Sequence, residues 1–256
     1  KPWAPKNSGV NYGGFETLKS ALANSRNTIT SRLMNEIGPQ PVINLAHSLG
    51  VQQKIPAVPS IALGTPDLSV YEMVAAYSSF ANQGVYTKPV MVTHIEDKSG
   101  TILYQFSPDT KDVLSKEVAY VTVKLMEGVK ESGTGARLKY GGGGFIQYDY
   151  SFANPVAGKT GTSQNNSDGW FMGITPNLVT GVWSGNEDRS VHFRTTFYGQ
   201  GANMALPIWA EYMDRVYKDT TTLGVYPDKF DIPQSIDLIS DCGSKDMGTI
   251  DYEEEF

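Results

Sequence analysis

The chain has 256 residues, 40% hydrophobic and 19% charged, with a net charge of -6, so it can bury one large core or two small ones and is not globally disordered. The acidic balance, without any long Lys/Arg block, speaks against nucleic acid as a partner. The single cysteine, Cys242, excludes an intrachain disulfide and a cysteine-built metal site and reads as an inert thiol.

Residues 1–15 are rich in Pro, Gly and Asn and read as loop, and the opening KPWAPKN looks like the interior of a longer protein. From Glu16 to Ile37 the periodicity is helical, with Leu18, Ala21, Leu22, Ile29, Leu33 and Ile37 three or four apart. Gly38-Pro39 ends that run, and a short helix follows over Val42–Leu49, stopped by Gly50. Asp67 is placed to cap a helix from Leu68 to Asn82. KPVMVTHIED and TILYQF read as two strands joined by Lys98-Ser99-Gly100. A helix opening at Ser115 or Lys116 runs through Val129, with Val118, Val121, Leu125 and Val129 on its apolar face.

Residues 132–155 are glycine-rich and read as loop; Gly141–Gly144 lacks the GxxxxGK[ST] spacing of a phosphate cradle. Two strands, Trp170–Thr175 and Leu178–Trp183, flank Pro176-Asn177 as a hairpin. Residues 202–217 form an amphipathic helix with Pro207 in its early part, and 218–256 make a polar tail ending in DYEEEF. Helices come first and the last strands form a meander, so the expected class is α+β, an antiparallel sheet flanked by helices. No stretch is long and apolar enough to span a membrane. The three histidines stand far apart without HExxH or HxH spacing, so no metal site and no cofactor are expected.

Two stretches carry candidate chemistry. In VAGKTGTS (residues 156–163), Lys159 supplies a cation, Gly161 lets another backbone come close, and the Thr160 and Thr162 hydroxyls share a face at period two. If that face lines a cleft, Lys159 points away from it; a cleft-facing Lys159 would require a twist or bulge. Ser25-Arg26-Asn27 lies inside the first helical run, where Ser and Asn are mediocre helix formers. It reads either as a helix break at a cleft or as a solvated boundary. S-x-N by itself is unspecific, because Ser163-Gln-Asn165 and Ser184-Gly-Asn186 match it too.

S-x-N followed by K-T-G resembles the motif order of penicillin-binding proteins and class A β-lactamases, S-x-x-K, S-x-N, K-T-G. The surrounding runs TLKSALANSRNTITSRLMNEIG, GTPDLSVYEMVAAYSSFANQG, VAGKTGTSQNNSDGWFMGITPNLVTGVWSGNEDRS and GQGANMALPIWAEYM narrow this to the transpeptidase domain of bifunctional (class A) penicillin-binding proteins, over roughly residues 1–215. The resemblance implies a penicillin-binding/β-lactamase-like fold, incomplete at its N-terminus, with residues 1–217 forming the C-terminal portion of that domain. It implies a D,D-transpeptidase acting on D-Ala-D-Ala stem peptides of peptidoglycan through a serine acyl-enzyme, with β-lactam antibiotics as further ligands.

By the same resemblance Lys159, Thr160 and Thr162 bind the substrate carboxylate, Gly161 admits the substrate backbone, Ser25 relays a proton, and Asn27 holds the substrate amide or the S-x-x-K lysine. The backbone of Thr162 contributes to an oxyanion hole. The implied setting is the extracytoplasmic (periplasmic) face of the inner membrane, in a cell-wall synthesis complex, with a membrane anchor and a glycosyltransferase domain before Lys1. No serine in the chain has lysine three residues later. The S-x-x-K nucleophile is therefore expected before Lys1; the alternatives are a separate chain or a non-catalytic scaffold of the same fold. A β-lactamase-type hydrolase is the third reading, disfavoured by VWSGNED and the helix that follows it.

Overall fold

The structure, a computed structural model, describes residues 3–8, 12, 14–141 and 150–236. The expectations for Gly142–Gly144, for Cys242 and for the terminal acidic run lie outside the described residues.

The expected helix over Glu16–Ile37 is two helices, α1 (Leu18–Ala23) and α2 (Asn27–Ile37), separated at Asn24–Arg26. Gly38, at φ 80°, ends α2. α3 (Pro39–Ser48) starts three residues before the expected Val42, because a proline in the first turn gives up only an N–H that has no helical partner.

α4 (Val70–Ala81) is capped by Ser69, not by Asp67. Ser69 Oγ accepts from Glu72 N–H at 3.2 Å while Glu72 Oε2 accepts from Ser69 N–H at 3.1 Å, a reciprocal box that decides the start. Asp67 instead faces Arg189 across the surface.

β1 (Val85–Thr87) pairs with β4 (Thr110–Asp112) and brackets the expected hairpin, which forms as β2 (His94–Glu96) and β3 (Ile102–Gln105). The hairpin turn is shaped by Asp97, whose carboxylate accepts from Ser99 N–H (2.8 Å) and Thr101 N–H (2.9 Å). The β1–β4 pairing was not legible in the sequence.

α5 (Lys116–Glu131) opens at the expected point, with Ser115 as its cap, and buries Val129 as expected, but most of its buried arc is different. Ala119, Tyr120, Val123, Met126 and Val129 face inward, whereas Val118 and Val121 are 51% and 41% exposed. α5 is wedged among α1, α4 and the sheet, so a broad flank is covered and the valine stripe marks only one of two apolar arcs. α6 (Arg137–Tyr140) is a single turn inside the glycine-rich region.

The central sheet runs β5 (Ala157–Thr162), β6 (Asp168–Thr175), β7 (Leu178–Gly185), antiparallel and in that spatial order, with unbroken register. Two single-turn helices follow, α7 (Thr196–Gly199) and α8 (Gly201–Met204), then α9 (Leu206–Lys218). The expected single helix over 202–217 is thus split at Ala205. The split moves Pro207 into the first turn of α9, where it costs no hydrogen bond.

On one sheet face Leu22 of α1, Tyr77 and Phe80 of α4 and Val123 and Met126 of α5 pack on Ala157 and Ile174. On the other, Leu206, Trp209 and Met213 join Phe171, Val156, Phe152 and Leu138. This is the α+β class expected. After α9 the chain lies back on these layers: Val225 packs on the α9 side, Phe230 on the α4–α5 side, and Asp231 accepts from Gln83.

Gly173 faces the fully buried Trp209 indole, and a Cβ there would overlap the ring. Gly173→Ala is expected to lower stability by about 1–3 kcal/mol, the usual cost of overfilling a close-packed core. Thermal unfolding would show it; a midpoint equal to that of the parent protein would mean the indole can move aside.

Candidate active site

α1 closes with a left-handed cap. Arg26 N–H donates to Ala21 O (2.9 Å) and Ser25 N–H to Leu22 O (3.1 Å), the paired bonds of a Schellman motif. The position that usually holds glycine in that motif is Ser25, at φ 51°. The helix break read from the sequence is therefore real, and it occurs at a residue whose side chain makes the conformation costly.

Among the described residues β5 is an edge strand. Ser163 N–H, just past its end, donates inward to Asp168 O. By the alternation of an antiparallel ladder, the N–H and C=O of Thr160 and Thr162 point outward, away from β6. The same alternation puts Lys159 and Gly161 on one face and Thr160 and Thr162 on the other. Register is continuous, so no bulge turns Lys159. Its face is the one covered by α1 and α5, and the break after α1 brings Ser25 to it.

Lys159 Nζ donates to Ser25 Oγ and, at 2.8 Å, to Thr160 O. Burial pushes the amine down to about 8. Desolvation penalises the ammonium, and among the described residues no carboxylate pairs with it. A cation held by neutral oxygens alone, beside an open strand edge, suits an incoming anion.

The two threonines have separate attachments. Thr160 Oγ1 and Thr134 Oγ1 are 2.7 Å apart, and Thr162 Oγ1 accepts from Gly201 N–H at 3.0 Å. Thr134 also donates its N–H to Ala23 O at 3.0 Å, so one residue ties the end of α1 to the middle of β5. The neighbouring Gly133 is pressed against the Ala23 carbonyl, leaving no room for a Cβ. A Cβ at Gly161 would sit 3.0 Å from Trp170 Cβ, its cross-strand neighbour.

Asn27 opens α2, and its amide donates to Lys6 O at 2.8 Å. Asn7 completes the link: its Oδ1 accepts from Thr28 N–H and its Nδ2 donates to Thr28 Oγ1, both at 3.1 Å. The structure thus joins Ser25 to Lys159 and ties Asn27 to the loop around Trp3–Asn7. Thr134 and Asn7 were missed as site residues. The glycines Gly133 and Gly135 and the polar end of the KPWAPKN run were the signals for them.

The family model for the penicillin binding protein transpeptidase domain matches residues 1–184. Penicillin-binding protein 1A of Aquifex aeolicus is 32% identical over 246 residues, 96% of this chain and 31% of that protein. Penicillin-binding protein 1A of Neisseria gonorrhoeae is 33% identical over 217 residues, 82% of this chain and 26% of that protein. The chain therefore spans a third or less of the length of these relatives. Among solved structures, penicillin-binding protein 1A from Haemophilus influenzae matches with a TM-score of 0.77 at 25% identity, covering 91% of this chain and 39% of that one. PonA1 from Mycobacterium tuberculosis, in complex with penicillin V, matches with a TM-score of 0.67 at 26% identity, covering 85% and 59%.

Proposed function

This chain belongs to the penicillin-binding protein transpeptidase family, and from that footing we propose that the intact protein cross-links peptidoglycan by acyl transfer through a serine acyl-enzyme. The observation that supports the reading most directly is the contact between Lys159 of the K-T-G strand and Ser25 of the S-x-N break.

In this scheme the nucleophile is the serine of an S-x-x-K segment outside residues 1–256. It attacks the carbonyl of the penultimate D-Ala; an ester forms and the terminal D-Ala leaves as its free amine. The terminal carboxylate docks on the Lys159 ammonium and the outer edge of β5. Thr162 Oγ1 already accepts from Gly201, so its own O–H remains free to donate to that carboxylate. The outward N–H of Thr162 and that of the nucleophilic serine stabilise the oxyanion. Ser25, hydrogen-bonded to Lys159, passes the proton to the departing amine. A second stem peptide's amine then attacks the ester, forms the cross-linking amide and restores the serine.

A β-lactam enters the same cycle and stops at the ester, because its ring-opened product stays attached. The longer relatives are consistent with an anchor and a glycosyltransferase domain before Lys1, and with action on the extracytoplasmic side of the membrane. Among the described residues no helix is long and apolar enough to cross a membrane.

The test is intact-protein mass spectrometry after incubation with a labelled penicillin. The full-length protein is expected to gain one penicillin mass, on a serine followed by x-x-Lys. An unmodified full-length protein would overturn the reading.

A further inference from the structure

Ser25 reaches Lys159 only while the break between α1 and α2 keeps its left-handed turn, and two side-chain clamps bracket that turn. On the α2 side is the Asn7–Thr28 pair. On the α1 side is Glu16, which precedes the helix yet reaches both of its ends. Glu16 Oε1 accepts from Ser20 Oγ at 2.7 Å in the first turn. Both of its carboxylate oxygens accept from Arg26 Nε, at 3.3 and 3.1 Å, just past the last turn. The two side chains are 24% and 33% exposed, so the pair is partly withdrawn from water and from screening. Arg26 is the residue immediately after Ser25 and carries the N–H that closes the cap on Ala21 O. Freeing its side chain loosens one of the two bonds that keep a serine at positive φ.

Resting on the transpeptidase reading above, we infer that Glu16 is a positioning residue for the acyl-transfer chemistry: its carboxylate holds Arg26 and thereby keeps the Ser25 hydroxyl on the Lys159 ammonium. Among the described residues Glu16 is hydrogen-bonded to neither β5 nor Lys159; its link to the break runs through Arg26.

The experiment is a double-mutant cycle in the full-length protein, read as the second-order rate of acylation by a fluorescent penicillin. Glu16→Ala is expected to slow acylation about tenfold, the scale of a small misplacement of a reacting group. In a Ser25→Ala background the same change is expected to alter the rate by less than about twofold, since nothing is left to position. The charge swap Glu16→Arg with Arg26→Glu is expected to recover most of the rate. An equal loss in both backgrounds, or a Glu16→Ala protein that reacts at the parent rate, overturns the proposal. If the alanine variant unfolds, Glu16→Gln carries the test with the same direction.

A second readout needs no substrate. In the unliganded protein the side-chain NMR titration of Lys159 is expected to move to lower pH in Glu16→Ala, because the ammonium keeps Thr160 O but loses Ser25 Oγ as an acceptor. An unmoved titration overturns the proposal even if the protein proves not to react with penicillins. Failure of the parent protein to acylate, with the titration moved as expected, overturns the transpeptidase reading and leaves Glu16 as the holder of Ser25.

Discussion

Ser25→Gly is expected to give a more stable and nearly inactive protein, and the comparison that shows it is with Ser25→Ala. Ser25 sits at φ 51°, in the left-handed position of the cap that closes α1. For a residue with a Cβ this conformation costs about 1–2 kcal/mol. Glycine escapes that cost but loses about 0.5–1 kcal/mol through its freer unfolded chain. Alanine keeps the strain. Both variants lack the hydroxyl that meets Lys159, so their difference isolates the backbone. Glycine should be the more stable by about 1 kcal/mol, a rise of a few degrees in unfolding midpoint for a domain of this size. Both should acylate about 10²–10⁴-fold more slowly, the range lost with a positioned proton carrier. Equal midpoints for the two variants would show that the break is not strained. The usual residue for this cap is glycine, so a serine there fits a site that accepts local strain in exchange for a hydroxyl in the right place.

Lys159→Met is expected to produce a functional loss on the same scale. The amine is desolvated, lies on the open edge strand and has no carboxylate partner among the described residues. Its removal should slow penicillin acylation by at least about 10²-fold, since one preorganised donor in a dry site is worth about that much.

The pH dependence has a definite sign. The folded-state value, about 8, lies below the ordinary 10.5. Between these two values the unfolded chain binds more protons, so stability rises as pH increases through that window. Below about 8 the lysine is charged in both states and the full cost of its burial is present. Lys159→Met should therefore be more stable than the parent at neutral pH, and this advantage should vanish by pH 10.5. Activity runs the other way. Acylation of the parent should fall as pH rises through about 8, when the ammonium that attracts the carboxylate is lost, and Lys159→Met should lack that limb. A methionine variant that keeps the limb would assign the titration to another group.

Much of the chain's local organisation was legible because it depends on neighbours within one helical turn. Ser25 and Asn27 are poor helix interiors, and the helix does break at Asn24–Arg26. Gly38-Pro39, Ser115 and the Pro176-Asn177 turn stop or start elements where their backbone chemistry says they should. Period-two alternation placed Thr160 and Thr162 on one face and Lys159 on the other, leaving only the question of which face mattered. The misses were also physical. Asp67 and Ser69 are both good caps, and the choice between them was made by Glu72, whose other oxygen is claimed by Gln52 and Gln53. The two apolar arcs of α5 are nearly equivalent by periodicity, and only the sheet and α1 selected one.

The sequence by itself determined the longer helical runs, the two hairpins, the α+β class and the motif strand, because capping, turn sterics and side-chain alternation act over a few residues; the β1–β4 pair and the splits at Asn24–Arg26 and Ala205 came from the structure. Only the tertiary structure decided what Lys159 touches. Its hydroxyl partner is 134 residues away, and the two meet because Thr134 ties the end of α1 to β5 while Glu16 and Asn7 hold the break from either side. Contacts at such separations are set by how layers pack, and no local pattern of residues encodes them.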